Sequence, residues 1–358
     1  MTPGELRGRR IAGQLLAPAA DRRPADVVAA LGAVQSQDLP GGVWALGVRT
    51  GRTAAAITAD LTDGAILRTH VLRPTWHLVA PADLAPLEAA TGGAVMRAAA
   101  ATMRRLGLTP ERLAAIHTVL RDRLAHGPAT RGELQRLLTA AGHDMTDGVR
   151  LATALMHAET AGLLCSGPVT GRDTTYMLLA ERAPTAAPDR SGVLADLARR
   201  YFATRGPATL RDFRWWAGLS AADARSAADA VREELEGATL DGRELLWSGA
   251  VEPRDPPAVL LLPNYDEYLV AYTDRSDVFD AAHRRFLDAR GAPIMQHVVV
   301  VDGGVAGTWR SAARAKRLEV TAALFATPTP RVRAGLEEAV AAFGRHRGAP
   351  AEAILARS

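Results

Sequence analysis

Gln35 and Gln37, one residue apart, are the side chains whose types and spacing most directly suggest a reacting centre. In an extended backbone, side chains at i and i+2 point the same way, so both amides would lie on one side, with Ser36 and Asp38 on the other. In a helix the same positions sit about 200° apart and cannot converge. A glutamine is no base at neutral pH. Its carbonyl can orient a water and stabilise developing positive charge. Two polar residues in a turn would read the same, so the pair needs its context. The chain has no His-Glu-x-x-His or equivalent, its nine histidines are scattered, and its single cysteine, Cys165, excludes an internal disulfide and any cysteine-based metal cluster. No metal or other cofactor is expected.

The 358 residues suggest two to four modules, and 48% hydrophobic content suits a globular chain. No apolar run reaches the length of a membrane span, and Met1-Thr2-Pro3-Gly4-Glu5-Leu6-Arg7 lacks the apolar core of a signal peptide. A cytoplasmic location is therefore expected. Net charge is +4, and every basic residue except Lys316 and the histidines is arginine. Arginine pairs with phosphate through bidentate forks, but a GC-rich genome would also favour it.

The elements that must position the glutamines read as a repeat. His126-Gly127-Pro128-Ala129-Thr130-Arg131-Gly132-Glu133-Leu134 parallels Arg205-Gly206-Pro207-Ala208-Thr209-Leu210-Arg211-Asp212-Phe213. In each, Gly and Pro end one helix, and Thr caps the next with an acid three residues on. Flanking helices are expected over 110–125, 147–161, 191–204 and 220–235. A hairpin follows each trio: 163–168 with 174–179, and 238–240 with 244–247 around Asp241-Gly242. Three helices and a hairpin make a winged helix-turn-helix. A third, diverged copy is expected at the N-terminus, with helices over 5–16, 24–34 and 54–61 and a hairpin of 66–72 and 75–80 turned at Arg73-Pro74.

After the linker Pro253-Arg254-Asp255-Pro256-Pro257 the pattern changes to strands: 259–263, 294–301, 305–309 and 317–323, closed by a helix over 331–346. The expected fold class is α+β, with winged helices over 1–105, 106–185 and 186–256 and a small β-barrel over 257–358. Asp266, Glu267 and Tyr268 are expected to form a structural network with Arg275 or Arg310, Trp215 and Trp216 to be core, and Asp38 to cap the turn before Pro40.

Four blocks resemble the AlkZ and YcaQ superfamily of bacterial winged-helix DNA glycosylases. They are Leu31-Gly32-Ala33-Val34-Gln35-Ser36-Gln37-Asp38, Leu67 to His77, Leu262-Pro263-Asn264-Tyr265-Asp266-Glu267-Tyr268, and Val299 to Arg310. The Gln-x-Gln pair is similar to the AlkZ branch, the YcaQ branch carrying Gln-x-Asp. The resemblance implies three tandem winged helices and a β-barrel around a concave DNA channel. It implies an enzyme that excises N7-alkylated purines from double-stranded DNA and unhooks interstrand crosslinks or removes bulky natural-product adducts. With Lys316 as the one lysine to form a Schiff base, a monofunctional enzyme is expected, acting as a monomer at the nucleoid. It associates the branch with self-protection in producers of DNA-alkylating metabolites.

Gln35 and Gln37 would then be catalytic. His70, Arg73, Thr75, Trp76 and His77 would contact DNA, since an arginine at a hairpin turn reaches a phosphate and a ring can stack or donate. Core packing would equally explain Trp76, and a structural hydrogen bond His77. An open cleft is expected, because a crosslinked base cannot be flipped into a tight pocket. Two other readings stay open: a non-catalytic winged-helix regulator, and a protein that masks damaged DNA.

Overall fold

The computed structural model describes residues 1–17, 22–170, 173–184, 189–249, 252–287 and 295–356. Gly171 and Arg172 of one expected turn, and Ile294 of one expected strand, lie outside them. Thr2 caps α1 (Pro3–Gly13) with its side chain. This helix was expected to open the first trio. It packs instead on the helix Arg190–Arg205, where a Cβ on Gly13 would stand 2.6 Å from the Thr204 carbonyl. Buried Arg10 fixes it there, donating to the Pro207 carbonyl at 3.0 Å and pairing with Asp277 at 3.2 Å.

The first trio is α2 (Pro24–Leu31), α3 (Leu39–Thr50) and α4 (Ala54–Asp63). α2 stops at Leu31 rather than Val34 because Gly32 takes φ 73°, which releases Val34 and Gln35 into an extended strand. That strand, β1 (Val34–Gln35), joins β2 (Leu67–His70) and β3 (Trp76–Val79) in an antiparallel sheet of order β1-β3-β2. Val28, Leu31, Val34, Leu46, Ile57 and Leu78 form the core beneath it. Asp38 stands at the N-cap of α3, but its side chain makes no capping bond. α5 (Pro81–Arg105) then runs on to the second unit.

That unit comprises α6 (Pro110–Leu124), β4 (Ala129–Thr130), α7 (Arg131–Ala140), α8 (Gly148–Thr160), β5 (Leu164–Thr170) and β6 (Asp173–Leu178). The next comprises α9 (Arg190–Arg205), α10 (Leu210–Ala217), α11 (Ala221–Asp229), β7 (Leu235–Leu240) and β8 (Arg243–Ser248). Both repeated motifs form capping boxes. Thr130 and Glu133 cap α7 reciprocally, and Thr209 and Asp212 cap α10. α11 ends well before the expected Leu235, giving way to a short 3₁₀ turn that leads into β7. The β7–β8 turn carries Asp241 and Gly242 at φ 49° and 73°, as an Asp-Gly hairpin requires.

Among the described residues, the C-terminal region forms no closed barrel. β9 (Val259–Leu262), α12 (Glu267–Val270), β10 (Val298–Val301), β11 (Gly304–Ala313), β12 (Leu318–Leu324), α13 (Pro330–Arg347) and β13 (Ala351–Leu355) build an open sheet of order β13-β12-β11-β10-β9. α13 crosses one face and returns β13 parallel to β12, so β9 and β13 remain as edges. Val299, Trp309, Leu336 and Phe343 pack on the α13 side, and Val298, Val300, Leu260 and Tyr268 on the other. No helix of the described residues is long and apolar enough to cross a membrane.

Candidate functional site

Gln35 pairs with His77 across β1 and β3, and the pairing continues one residue further, where Ser36 N–H donates to the Trp76 carbonyl at 2.7 Å. Ser36 turns inward against Gly42, where a Cβ would come 2.5 Å from its Oγ. Both glutamine side chains reach the same hairpin turn. Arg73 Nη2 donates to Gln35 Oε1 at 2.8 Å, and the Trp76 backbone N–H donates to Gln37 Oε1 at 3.2 Å. A guanidinium and a backbone N–H can only donate, so both amides must present their oxygens to the turn. Each oxygen keeps a second lone pair. The two residues differ in access: Gln35 is 6% exposed, whereas Gln37 lies on the surface.

The acidic block holds the strand in place. Glu267 Oε1 accepts the Gln35 backbone N–H at 2.8 Å. Its Oε2 accepts Arg205 Nε at 3.0 Å and Nη2 at 2.8 Å, and Trp216 Nε1 at 2.9 Å. Arg205 also donates to the carbonyls of Leu31 and Ala33, both at 2.8 Å, and so grips the chain on either side of Gly32. Asp266 binds Arg49 through two parallel bonds of 2.8 and 2.9 Å. All four ionic side chains are fully buried. The expected network therefore exists, but with other arginines. Arg275 donates to the Leu269 carbonyl instead, and Arg310 lies exposed on β11. Arg49 and Arg205 lie far from the block in sequence, beyond the reach of local pattern.

The expected DNA-contacting residues separate into two groups. Arg73, half-buried, spans from Gln35 to the face of Trp215, 5.4 Å from its ring centroid. Trp215 is not core: it is 43% exposed, while Trp216 beside it is fully buried. Thr75 is half-buried beside Arg73, its Oγ1 without a partner. Trp76 sits between the guanidinium of Arg68 (4.2 Å) and the ring of His70 (4.1 Å). His77 is completely buried, its Nδ1 2.9 Å from the Thr75 carbonyl. Burial, then the nearby Arg73 charge, holds its pKa well below the usual imidazole range. His70 is buried and bonded through Nδ1 to Glu159. Both histidines thus underlie the turn, and neither is open to a polyanion. Arg68, which donates to the Ser36 carbonyl at 2.8 Å, was not singled out from sequence.

The family model described as DNA glycosylase AlkZ-like matches residues 28–346 of this chain, spanning the glutamine pair, the hairpin turn and the buried Arg49–Asp266 and Arg205–Glu267 pairs. The chain belongs to the AlkZ-like DNA glycosylase family. A relative named interstrand DNA cross-link repair glycosylase, from Streptomyces sahachiroi, is 26% identical over 324 residues, covering 84% of this chain and 85% of the relative. The solved structure of Streptomyces sahachiroi DNA glycosylase AlkZ superposes with a TM-score of 0.80 at 23% identity, over 99% of this chain and all of that one. Membership makes the chain an enzyme that hydrolyses N-glycosyl bonds. It sets aside the readings as a regulator or a masking protein.

Beneath the turn, the glycosylase carries a second buried acidic pair. Burial pushes the Glu159 carboxyl up, against the pull of His70 and Arg68. Glu88 on α5 is pushed up to about 9, by burial and then by Glu159. A carboxyl whose folded pKa exceeds its unfolded value binds its proton more tightly in the folded state. Its stabilising contribution is complete below the ordinary value of 4.5 and is lost as pH rises through about 9. Glu88→Gln should therefore stabilise the protein at pH 7 by about 3 kcal/mol, each pKa unit crossed being worth about 1.4 kcal/mol. Urea titrations of both forms at pH 4 and pH 7 check this. The wild type should lose stability relative to the variant between the two.

Proposed function

We propose that this glycosylase excises N7-alkylated purines from double-stranded DNA and unhooks interstrand crosslinks between them, protecting its host from a DNA-alkylating metabolite. Gln35 and Gln37 are the catalytic pair. The observation that carries the reading is the orientation of the two amides: both oxygens face one hairpin turn, set by donors that cannot accept. An N7-alkylguanine is already cationic. When its glycosidic bond breaks, the bonding electrons pass to N9 and neutralise the base, so no general acid is needed. The sugar acquires oxocarbenium-like charge. The remaining lone pairs of the amide oxygens can face that charge and orient the water that adds to C1′, whose proton then passes to bulk solvent. Unmodified guanine, a poor leaving group, should be left alone.

In this reading Gln37, at the surface, meets the DNA, while Gln35 is set by Arg73 beneath and by Glu267 behind. The residue blocks 1–105, 106–185 and 186–256 act as tandem winged helices, with 257–358 completing a concave channel for one duplex. Arg73, Thr75 and Trp76 face that duplex. His70 and His77 act from below by shaping the turn. The relative's name, interstrand DNA cross-link repair glycosylase, supports the substrate class.

The enzyme is monofunctional and works as a monomer. A strand-cleaving glycosylase needs a desolvated amine to form a Schiff base at C1′. The chain's one lysine, Lys316, is exposed in the turn between β11 and β12. An end-labelled duplex crosslinked between the N7 atoms of opposed guanines tests both points. The expected products are separated strands, one carrying an abasic site that breaks only in alkali, with no borohydride-trapped adduct and no loss of activity in Lys316→Ala. A trapped adduct that disappears in Lys316→Ala contradicts monofunctionality. Persistence of the crosslink contradicts unhooking.

A further inference from the structure

A pocket of about 610 Å³ opens beside the glutamine site, between the β2–β3 turn, α5 and α10. Leu72, Val95 and Leu219 form a buried apolar floor. Gly218 lets the walls meet there: its φ is 65°, and a Cβ on it would lie 2.0 Å from the Leu72 carbonyl. Trp215 forms one wall. Among the described residues it is the only exposed tryptophan, and its Nε1 donates to the Val270 carbonyl at 3.2 Å, which fixes the plane of the indole. Arg211 and Arg214 stand exposed at the mouth. Arg73 is common to both places, since it lines the pocket and holds Gln35 Oε1.

This volume is that of a small-molecule site, and a fixed aromatic face over an apolar floor suits a flat apolar group. A nucleobase fits less well, because its Watson–Crick edge would need matching partners inside. Of the polar groups lining it, Arg73 is committed to Gln35 and Thr273 Oγ1 to Asp212 at 2.7 Å, and the unpartnered Thr75 hydroxyl alone does not match a whole base edge. We propose that the pocket receives the substituent carried on the alkylated base, an aromatic or otherwise flat apolar group, and that it tunes the glycosylase to bulky adducts. The group stacks on Trp215 while the glycosidic bond lies at the glutamines, and the two arginines at the mouth meet acceptor atoms on the adduct or a flanking phosphate. The proposal rests on reading Gln35 and Gln37 as the excision site.

The test compares duplexes bearing one N7-benzylguanine or one N7-methylguanine, with spontaneous base loss subtracted. Both affinity and single-turnover excision are read for the wild type, for Trp215→Ala and for Ala98→Trp. Ala98 is an exposed position on α5, and a tryptophan there fills the pocket from the opposite side. The wild type should favour the benzyl adduct about tenfold, the scale of one aromatic stack. Either substitution should collapse the benzyl-to-methyl ratio toward one. A structural defect would lower both adducts together and leave the ratio standing, which overturns the proposal, as does a wild type without preference. The affinity ratio does not depend on excision. Preferential binding with no base released would uphold the pocket and remove the glutamine reading, whereas release without preference would do the reverse.

Discussion

Replacing both Gln35 and Gln37 with alanine should lower single-turnover release of an N7-alkylguanine by about 100- to 1000-fold, the usual cost of deleting a preorganised transition-state contact. Affinity for an undamaged duplex should be almost unchanged, because neither amide carries charge and phosphate contacts dominate such binding. The single variants should differ in their side effects. Gln37 lies on the surface, so its truncation costs little stability. Truncating Gln35 leaves Arg73 Nη2 without its acceptor, at about 1 kcal/mol. Single-turnover gels with enzyme in excess, paired with urea unfolding of each variant, separate the chemical loss from the structural one. A double variant excising at the wild-type rate would remove the pair from the mechanism.

Glu267→Ala should be the most destabilising single change near the site, at about 3–5 kcal/mol, because it strands a buried arginine. Glu267 neutralises Arg205 and also accepts from Trp216 Nε1 and from the Gln35 backbone, all away from water. Glu267→Gln keeps an acceptor but loses the charge, and should fall between the two. Since the Gln35 N–H loses its anchor, excision should fall in both variants even at temperatures where they remain folded. Glu267 is thus a positioning residue, acting through Gln35. Chemical denaturation with circular dichroism gives the stability change. A loss below about 1 kcal/mol, the level of an ordinary exposed ion pair, would contradict the buried network.

Where structure depends on neighbours in sequence, it was legible. The caps at Thr130 and Thr209, the Asp241-Gly242 turn and the hairpin around Arg73-Pro74 all follow from local chemistry. α3 was not legible, because Leu39-Pro40-Gly41-Gly42 reads as a loop. Its glycines are there for close approach, Gly42 to Ser36 and Gly47 to His346. α5 was hidden by Pro86 and by the Gly92-Gly93 pair within it. The open edge of the C-terminal sheet depends on β13, which pairs only after α13 has crossed. At the site, the glutamine spacing was readable and its support was not. Glu267 and Gln35 are joined across 232 residues, and Arg205 and Glu267 across 62, separations that no periodicity reports. Trp215 fails for the opposite reason: beside a core tryptophan on an amphipathic helix it reads as core, yet its indole turns outward to a carbonyl.

One measurement decides the chemistry: the wild-type enzyme is incubated with a duplex containing a single N7-methylguanine, and the small molecule released is identified by mass spectrometry. Free N7-methylguanine should appear at a rate well above spontaneous depurination, with one abasic site left per base released and no release of guanine from the unmodified duplex. Depurination at the spontaneous rate, from an enzyme that binds the duplex, would contradict it.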